Sequence, residues 1–513
     1  MNNMLKLVLV ASVTLPALAG CGMRGGLERA DPIFKDVKPV EEVIEPAPAL
    51  KSAFVPEPTS WGENFHCQHP HKRLRARLCP TFSHHNSCQA SFLHHFDYKA
   101  DRLHCEDVDL GKIADEVGTP VYVYSTATLR RHAGVIAAAF ADVDCLIAYS
   151  VKANGNLAVL ATLAAEGCGA DVVSGGEMLR ALKSGIPPER IVFSGVGKTR
   201  EEMQLGLEKG IHQFNIESGA ELERLAAVAS AMGKQAPIAI RVNPDVAAGG
   251  HPNISTGKQG DKFGVPWADA EALYARAGAL EGIAVRGVDV HIGSQISDLK
   301  PMRKAFEKTV DLTRRLRAAG HEIDRIDLGG GLGIPYASSD SPATPAEYAA
   351  MVRDVVGDLP VQVILEPGRV IAGNAGVMVT EALYQKPAPD RTFLIVDAGM
   401  NDLMRPALYA AHHDILPLDK PIDGGERNTV DIVGPICEST DKFASGRELP
   451  AIKEGDRLAF LSAGAYGAVL SSQYNARPLV PEVLVDGANY AIVRRRPTFE
   501  EMTELEALPD WLS

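Results

Sequence analysis

Beyond its first 20 residues the chain lacks any apolar run long enough to cross a bilayer. It lacks an excess of positive charge as well. Lys and Arg number 52 against 65 Asp and Glu, leaving a formal net charge of −13. That balance argues against nucleic acid and against an anionic membrane surface as partners. Cysteine is sparse, 8 in 513 residues, too few for a disulfide scaffold. No Cys-x-x-Cys pair occurs. The segment 61–95 holds Cys67, Cys79 and Cys88 among His66, His69, His71, His84, His85, His94 and His95, with no regular zinc spacing. No metal site is expected. Methionine is absent between Met23 and Met178.

What is present divides unevenly. Length predicts two or three domains, and 46% hydrophobic content suits a soluble protein with a large core. Residues 1–21 read as a secretion signal: Lys6 supplies charge, Leu7 to Leu18 a short apolar core, and Leu18-Ala19-Gly20-Cys21 a lipobox that would make Cys21 a lipid attachment site. Residues 22–92 are expected to be a disordered extension, rich in Pro, Glu and Ala up to residue 60. The front of the chain resembles a small bacterial lipoprotein. A fused gene, or two reading frames joined with a non-Met start near Leu93, would give this chain.

From about residue 120, short apolar runs alternate with helical stretches, as in parallel β/α units. The predicted strands are Cys145–Ser150, Ala170–Ser174, Ile191–Gly195, Gln213–Ser218, Ile238–Pro244, Gly287–Ile292, Ile326–Gly330 and Val361–Pro367. Helical periods fall between them, at Gly176–Lys183, Glu217–Ala231 and Met302–Ala319 for example. Eight units over about 250 residues is the size of a (β/α)8 barrel. A doubly wound sheet ranks lower, because polar residues stand at the C-terminal ends of nearly every strand. The fold class is therefore α/β: a barrel over 126–375 and a C-terminal, Greek-key-like β-domain over 376–513, to which 93–125 contributes. Val377–Leu383, Thr392–Asp397, Thr429–Val433, Arg457–Leu461 and Tyr490–Arg494 are the strands expected there.

The strand ends carry the chemistry. Tyr149-Ser150-Val151-Lys152 places a lysine at the end of strand one. A lone lysine there would read as a snorkelling surface group. Over a core it can instead lose its proton by desolvation and act as a nucleophilic amine, as a Schiff base with pyridoxal phosphate requires. Strand six ends in His291-Ile292-Gly293-Ser294, strand seven in Gly329-Gly330-Gly331, and strand eight in Glu366-Pro367-Gly368-Arg369. The glycines expose backbone N–H groups able to hold a phosphate. Ser294 can add a donor, Glu366 can pair with a ring nitrogen and His291 can stack on the ring. Asp171 either orients the lysine or caps a turn.

These motifs resemble those of the fold-type III, alanine-racemase-like decarboxylases that use pyridoxal 5'-phosphate. Within that group, from about His95 onward, the chain is similar to the diaminopimelate decarboxylases. The similarity extends to Ala170–Glu177, Arg241-Val242-Asn243-Pro244, and His251–Gly257 followed by Lys262-Phe263-Gly264. The N-terminal extension is the departure from the family. The resemblance implies decarboxylation of meso-2,6-diaminopimelate to L-lysine, with the ornithine, arginine and carboxylated-polyamine enzymes as the alternative. It implies that Lys152 is the Schiff-base lysine and that Gly329 to Gly331, Ser294 and Tyr474 bind the phosphate. Arg369, Arg405, Tyr409, Glu438 and Tyr474 would bind substrate, and Cys437 would be the proton donor. In the family the Cys437 segment comes from the partner subunit, which implies a homodimer with shared sites. A cytoplasmic enzyme is expected, with lipid anchoring through Cys21 as the alternative.

Overall fold

The computed structural model describes residues 93–247 and 262–512. The lipobox, the linker and the His251–Gly257 signature lie outside the described residues. Of the histidine-rich segment only His94 and His95 fall within them; the His95 backbone N–H donates to Thr128 Oγ1 at 3.1 Å.

Eight parallel strands form a closed barrel: β1 Cys145–Ser150, β2 Gly169–Val172, β3 Ile191–Phe193, β4 Gln213–Ile216, β5 Ala236–Asn243, β6 Ile283–Asp289, β7 Arg325–Asp327 and β8 Gln362–Leu365. Each pairs with the next in sequence, and β8 pairs with β1, Leu365 opposite Ile147. All eight were legible in outline. Several end earlier than predicted, because Ile292 and Leu328 continue the apolar pattern into the loops that carry the functional residues. Side-chain caps start most of the intervening helices. Ser174 accepts from the N–H of Glu177, Ser218 from that of Glu221, and Thr199 forms a reciprocal capping box with Glu202.

The barrel interior is not wholly apolar. Gln213, Asn215, Asp289 and Asp327 are buried on its strands. Gln213, Asn215 and Asp327 form a hydrogen-bonded layer beneath the mouth.

A second sheet runs in the order Lys442–Pro450, Arg427–Val433, Thr392–Val396, Gly376–Pro387, Val121–Ser125, Glu482–Asp486, Asn489–Arg494. Arg457–Phe460 pairs with Gly376–Pro387 as well. Val121–Ser125, which precedes the barrel in sequence, lies inside this sheet, antiparallel to Gly376–Val379 and parallel to Glu482–Val485. The sheet therefore incorporates the barrel's own entry strand, and the two parts meet at the barrel mouth. No helix among the described residues is long and apolar enough to cross a membrane.

Candidate active site

At the mouth of the barrel is a cavity. Its lining includes Lys152, His291, Ser294, Gly329, Gly330, Gly331, Glu366, Pro367, Gly368 and Arg369. The ends of β1, β6, β7 and β8 thus meet where the sequence motifs require.

Lys152 sits in a single 3-10 turn, Val151–Ala153, directly after β1. The β-domain holds that turn from above. The N–H of Tyr466 donates to Ala153 O at 2.7 Å, and Asn154 Nδ2 donates to Gly464 O at 3.0 Å. Lys152 Nζ lies 2.6 Å from Oδ2 of the buried Asp171, which also accepts from Ser150 Oγ at 2.9 Å. Of the two roles open for Asp171, the geometry gives it the lysine. It also corrects the expectation that desolvation strips the lysine of its proton. Burial pulls the pKa of Lys152 down, but Asp171, Glu366 and Tyr466 together hold it above the ordinary lysine value. The group is an ion-paired ammonium in this arrangement, because two carboxylates face it.

Glu366, at the end of β8, is buried. Its Oε1 accepts from Ser194 Oγ at 3.0 Å and from Asn215 Nδ2 at 3.4 Å. Burial and the nearby Asp171 push its pKa up to about 7, against the opposing pull of Lys152 and Arg241. Asn215 Nδ2 also reaches Asp327 Oδ2 at 3.1 Å, and Asp327 Oδ1 accepts the N–H of Gly329 at 3.0 Å. Burial, with Glu366 next, raises the Asp327 and Asp289 carboxyls well above the usual range. The polar layer therefore ties the Glu366 carboxylate to the glycine turn through two shared groups.

The glycine turn has no room for side chains. A Cβ on Gly330 would lie 2.2 Å from Glu366 O, and Gly331 has φ +107°. The N–H of Gly330 donates to His291 Nδ1 at 3.1 Å, so that nitrogen is an acceptor. Burial, Arg241 and Lys152 hold the His291 pKa well below its ordinary value. A neutral, flat imidazole thus stands at the cavity wall. A reactive amine, a deep carboxylate and a cradle of backbone too tight for any Cβ fit a phosphorylated pyridine aldehyde.

Two guanidinium groups are buried at this end: Arg369 lines the cavity, and Arg405, outside that lining, shares the Tyr336 ring with it. Arg369 donates from Nη2 to Ser294 Oγ at 3.2 Å and from Nη1 to Tyr336 Oη. Arg405 donates from Nη1 to His413 Nε2 at 2.8 Å, and its guanidinium carbon lies 4.5 Å from the Tyr336 ring centroid. The Nε atoms of both are buried without a hydrogen-bond partner, and neither arginine pairs with a carboxylate among the described residues. Tyr409 is half-buried at the end of the short helix Arg405–Tyr409.

Cys437, Glu438 and Tyr474 stand together, but elsewhere. All three are exposed. The N–H of Cys437 donates to Asn475 Oδ1 at 3.0 Å, and Glu438 raises the Tyr474 pKa through a hydrogen bond. Asp441 shapes their loop by accepting the N–H groups of Met400 and Ile436, each at 2.6 Å. None of the three lines the cavity of Lys152 in the same chain. Tyr474, expected beside the glycines and Ser294, is thus separated from them here. Tyr348 and Tyr466 line the cavity instead; Tyr466 has its ring centroid 4.8 Å from the guanidinium carbon of Arg369 and a left-handed backbone conformation, φ 56°. Sequence reading missed it. Its signal was an aromatic residue flanked by Gly464 and Gly467, a tight turn with one large side chain to aim.

Residues 126–373 match the family described as pyridoxal-dependent decarboxylase, pyridoxal binding domain. The chain is 48% identical over 413 residues to a diaminopimelate decarboxylase of Pseudomonas aeruginosa, covering 80% of this chain and 99% of the relative. It is 45% identical over 422 residues to one from Zymomonas mobilis, covering 81% and 99%. Among solved structures it resembles the diaminopimelate decarboxylase of Helicobacter pylori complexed with L-lysine. The TM-score is 0.75, with 38% identity and coverage of 78% of this chain and 99% of that one.

Proposed function

The chain belongs to the diaminopimelate decarboxylases, pyridoxal-phosphate enzymes that release CO2 from meso-2,6-diaminopimelate and leave L-lysine, and on that premise we propose how its residues divide the work. When bound, the cofactor supplies an electron sink for the pair released as the Cα–CO2 bond breaks. Lys152 is the amine that holds the cofactor aldehyde. Asp171 keeps that amine in place until it is needed. The N–H groups of Gly329, Gly330 and Gly331 hold the phosphate, with Ser294 as a further donor. Glu366 would pair with the ring nitrogen. His291 would stack on the ring. Pro367 and Gly368 let the chain pass close beside the cavity: a Cβ on Gly368 would lie 3.0 Å from both Ser150 and Ala153.

The observation that carries the substrate assignment is the pair Arg369 and Arg405. Two buried guanidinium groups without a carboxylate are costly. A dicarboxylic substrate offsets that cost by lending its second carboxylate, which a monocarboxylic amino acid such as ornithine cannot do. The product retains the L-centre of the meso compound, so the carboxylate lost is the one on the D-centre. The arginines therefore face the L-carboxylate. Glu438 suits the ammonium beside it, and Tyr409 and Tyr474 close the same end.

Cys437 supplies the proton that replaces CO2. Because Cys437, Glu438 and Tyr474 form an exposed group apart from the cavity, we assign them to the cavity of a second copy. The enzyme is then a homodimer with two shared sites. For the enzyme part we propose the cytoplasm, where lysine is made.

The test is CO2 release by purified protein from meso-diaminopimelate, ornithine and arginine in turn. Release from the first alone is expected. Equal release from a monocarboxylate would overturn the assignment of the arginines.

A further inference from the structure

Arg405 and Arg369 are held by uncharged partners, and that is unusual for buried arginine, which is ordinarily paired with a carboxylate. His413 is 2% exposed. Its Nδ1 lies 2.7 Å from Leu461 O and so must donate to it. Its Nε2 lies 2.8 Å from Arg405 Nη1 and so must accept. The two contacts fix one neutral tautomer. A second proton would set an N–H against the guanidinium N–H. Tyr336 is buried between the loop that follows the glycine turn and the β-domain. Its hydroxyl takes the Nη1 donor of Arg369, its ring lies under Arg405, and it meets the His413 ring edge to face, centroids 5.5 Å apart. The loop carrying it is fixed by Asp340, whose Oδ2 accepts the N–H groups of Tyr336 and Ala337 at 2.9 and 3.0 Å.

We propose that His413 and Tyr336 are the positioning residues of substrate selection: they aim Arg405 and Arg369 at the distal carboxylate while leaving the charge of both arginines uncommitted. This rests on the reading that the two arginines take that carboxylate. An aspartate or glutamate at either position would orient the guanidinium equally well. It would also neutralise it and compete with the ligand. A neutral acceptor and an aromatic face fix direction at no cost in charge. The selectivity of the site then depends on two residues that need not touch substrate.

His413→Gln and His413→Asn separate the two bonds of the imidazole. The longer amide reaches where Nε2 lay and can accept from Arg405. The shorter one keeps the contact with Leu461 O and leaves Arg405 without its acceptor. Tyr336→Phe keeps the ring and removes the acceptor of Arg369. The measurements are KM and kcat for meso-diaminopimelate on the loaded enzyme, and inhibition constants for L-lysine and for cadaverine, its carboxylate-free counterpart. Thermal melting checks the fold of each variant.

His413→Asn and Tyr336→Phe are expected to raise KM and the L-lysine inhibition constant together, by roughly tenfold or more. The cadaverine constant should stay unchanged, kcat should fall less than KM rises, and His413→Gln should return to within about threefold of the unaltered enzyme. Equal losses in Asn and Gln variants, no change in either, or a loss shared by cadaverine would overturn the proposal. Failure of the underlying reading looks different: Arg405→Ala would then leave KM for meso-diaminopimelate and L-lysine inhibition unmoved.

Discussion

Lys152 Nζ and Asp171 Oδ2 are 2.6 Å apart, and the carboxylate is buried while the amine reaches the cavity. The amine is thus held in an ion pair. To capture an aldehyde it must give up a proton that Asp171 and Glu366 help it keep. The rate at which cofactor-free protein takes up pyridoxal phosphate should therefore rise with pH. Asp171→Asn removes one of the charges and should shift that profile toward lower pH, read from the growth of cofactor absorbance after mixing. Lys152→Ala should abolish both the absorbance near the visible edge and CO2 release. Turnover by that variant would refute the assignment.

Glu366 gives a prediction about stability. Its folded pKa is raised to about 7, whereas in the unfolded chain it titrates as an ordinary glutamate, near about 4.3. Between those values the unfolded chain releases a proton that the folded chain retains. The contribution of Glu366 to stability therefore falls as pH rises through that window, and the full penalty applies above it. In cofactor-free protein Glu366→Gln should raise Tm relative to the unaltered chain by more at about pH 8 than at about pH 5. The same variant, loaded with cofactor, should lose activity by roughly 10² or more. A Tm difference independent of pH would mean that the carboxylate is not held near 7.

The fold was legible because each parallel strand is an apolar run closed by a polar motif, and Cys145–Ser150 was read to the residue. What escaped was pairwise and three-dimensional. Lys442–Pro450 pairs on one side only, with Arg427–Val433; its Gly446, Arg447 and Glu448 gave no apolar alternation to detect. The charge state of Lys152 depends on Asp171 and Glu366, which lie 19 and 214 positions away along the chain but face the same cavity. The site motifs on β1, β6, β7 and β8 could be read singly. The neutral partners of the two arginines could not, since Tyr336 and His413 are ordinary residues until the barrel and the β-domain meet.

Arg405→Ala should strip the site of its preference for a second carboxylate. A site built to pair a charged group typically rejects an analogue lacking it by about 10⁴-fold. D-lysine is the informative competitor: it keeps the reacting D-centre and lacks the distal carboxylate. The expected outcome is a fall in kcat/KM for meso-diaminopimelate of several orders of magnitude, while the low value for D-lysine changes little. The ratio of the two is the measurement, because a general loss of folded enzyme would lower both. An unchanged ratio would remove Arg405 from substrate binding.

The separation of Cys437 from Lys152 within one chain leads to a complementation test. If each chain lends Cys437, Glu438 and Tyr474 to its neighbour, every site of a dimer joins Lys152 of one copy to Cys437 of the other. Lys152→Ala and Cys437→Ala should each be inactive alone. Mixed in equal amounts and allowed to exchange, about half the dimers carry one of each. In such a dimer one site bears both substitutions and the other bears neither. About a quarter of the unaltered activity should then return, measured as CO2 release per total chain. Recovery should peak at equal proportions and vanish at either extreme. Were both groups drawn from one chain, no mixing ratio could restore activity, since every site would keep a damaged member.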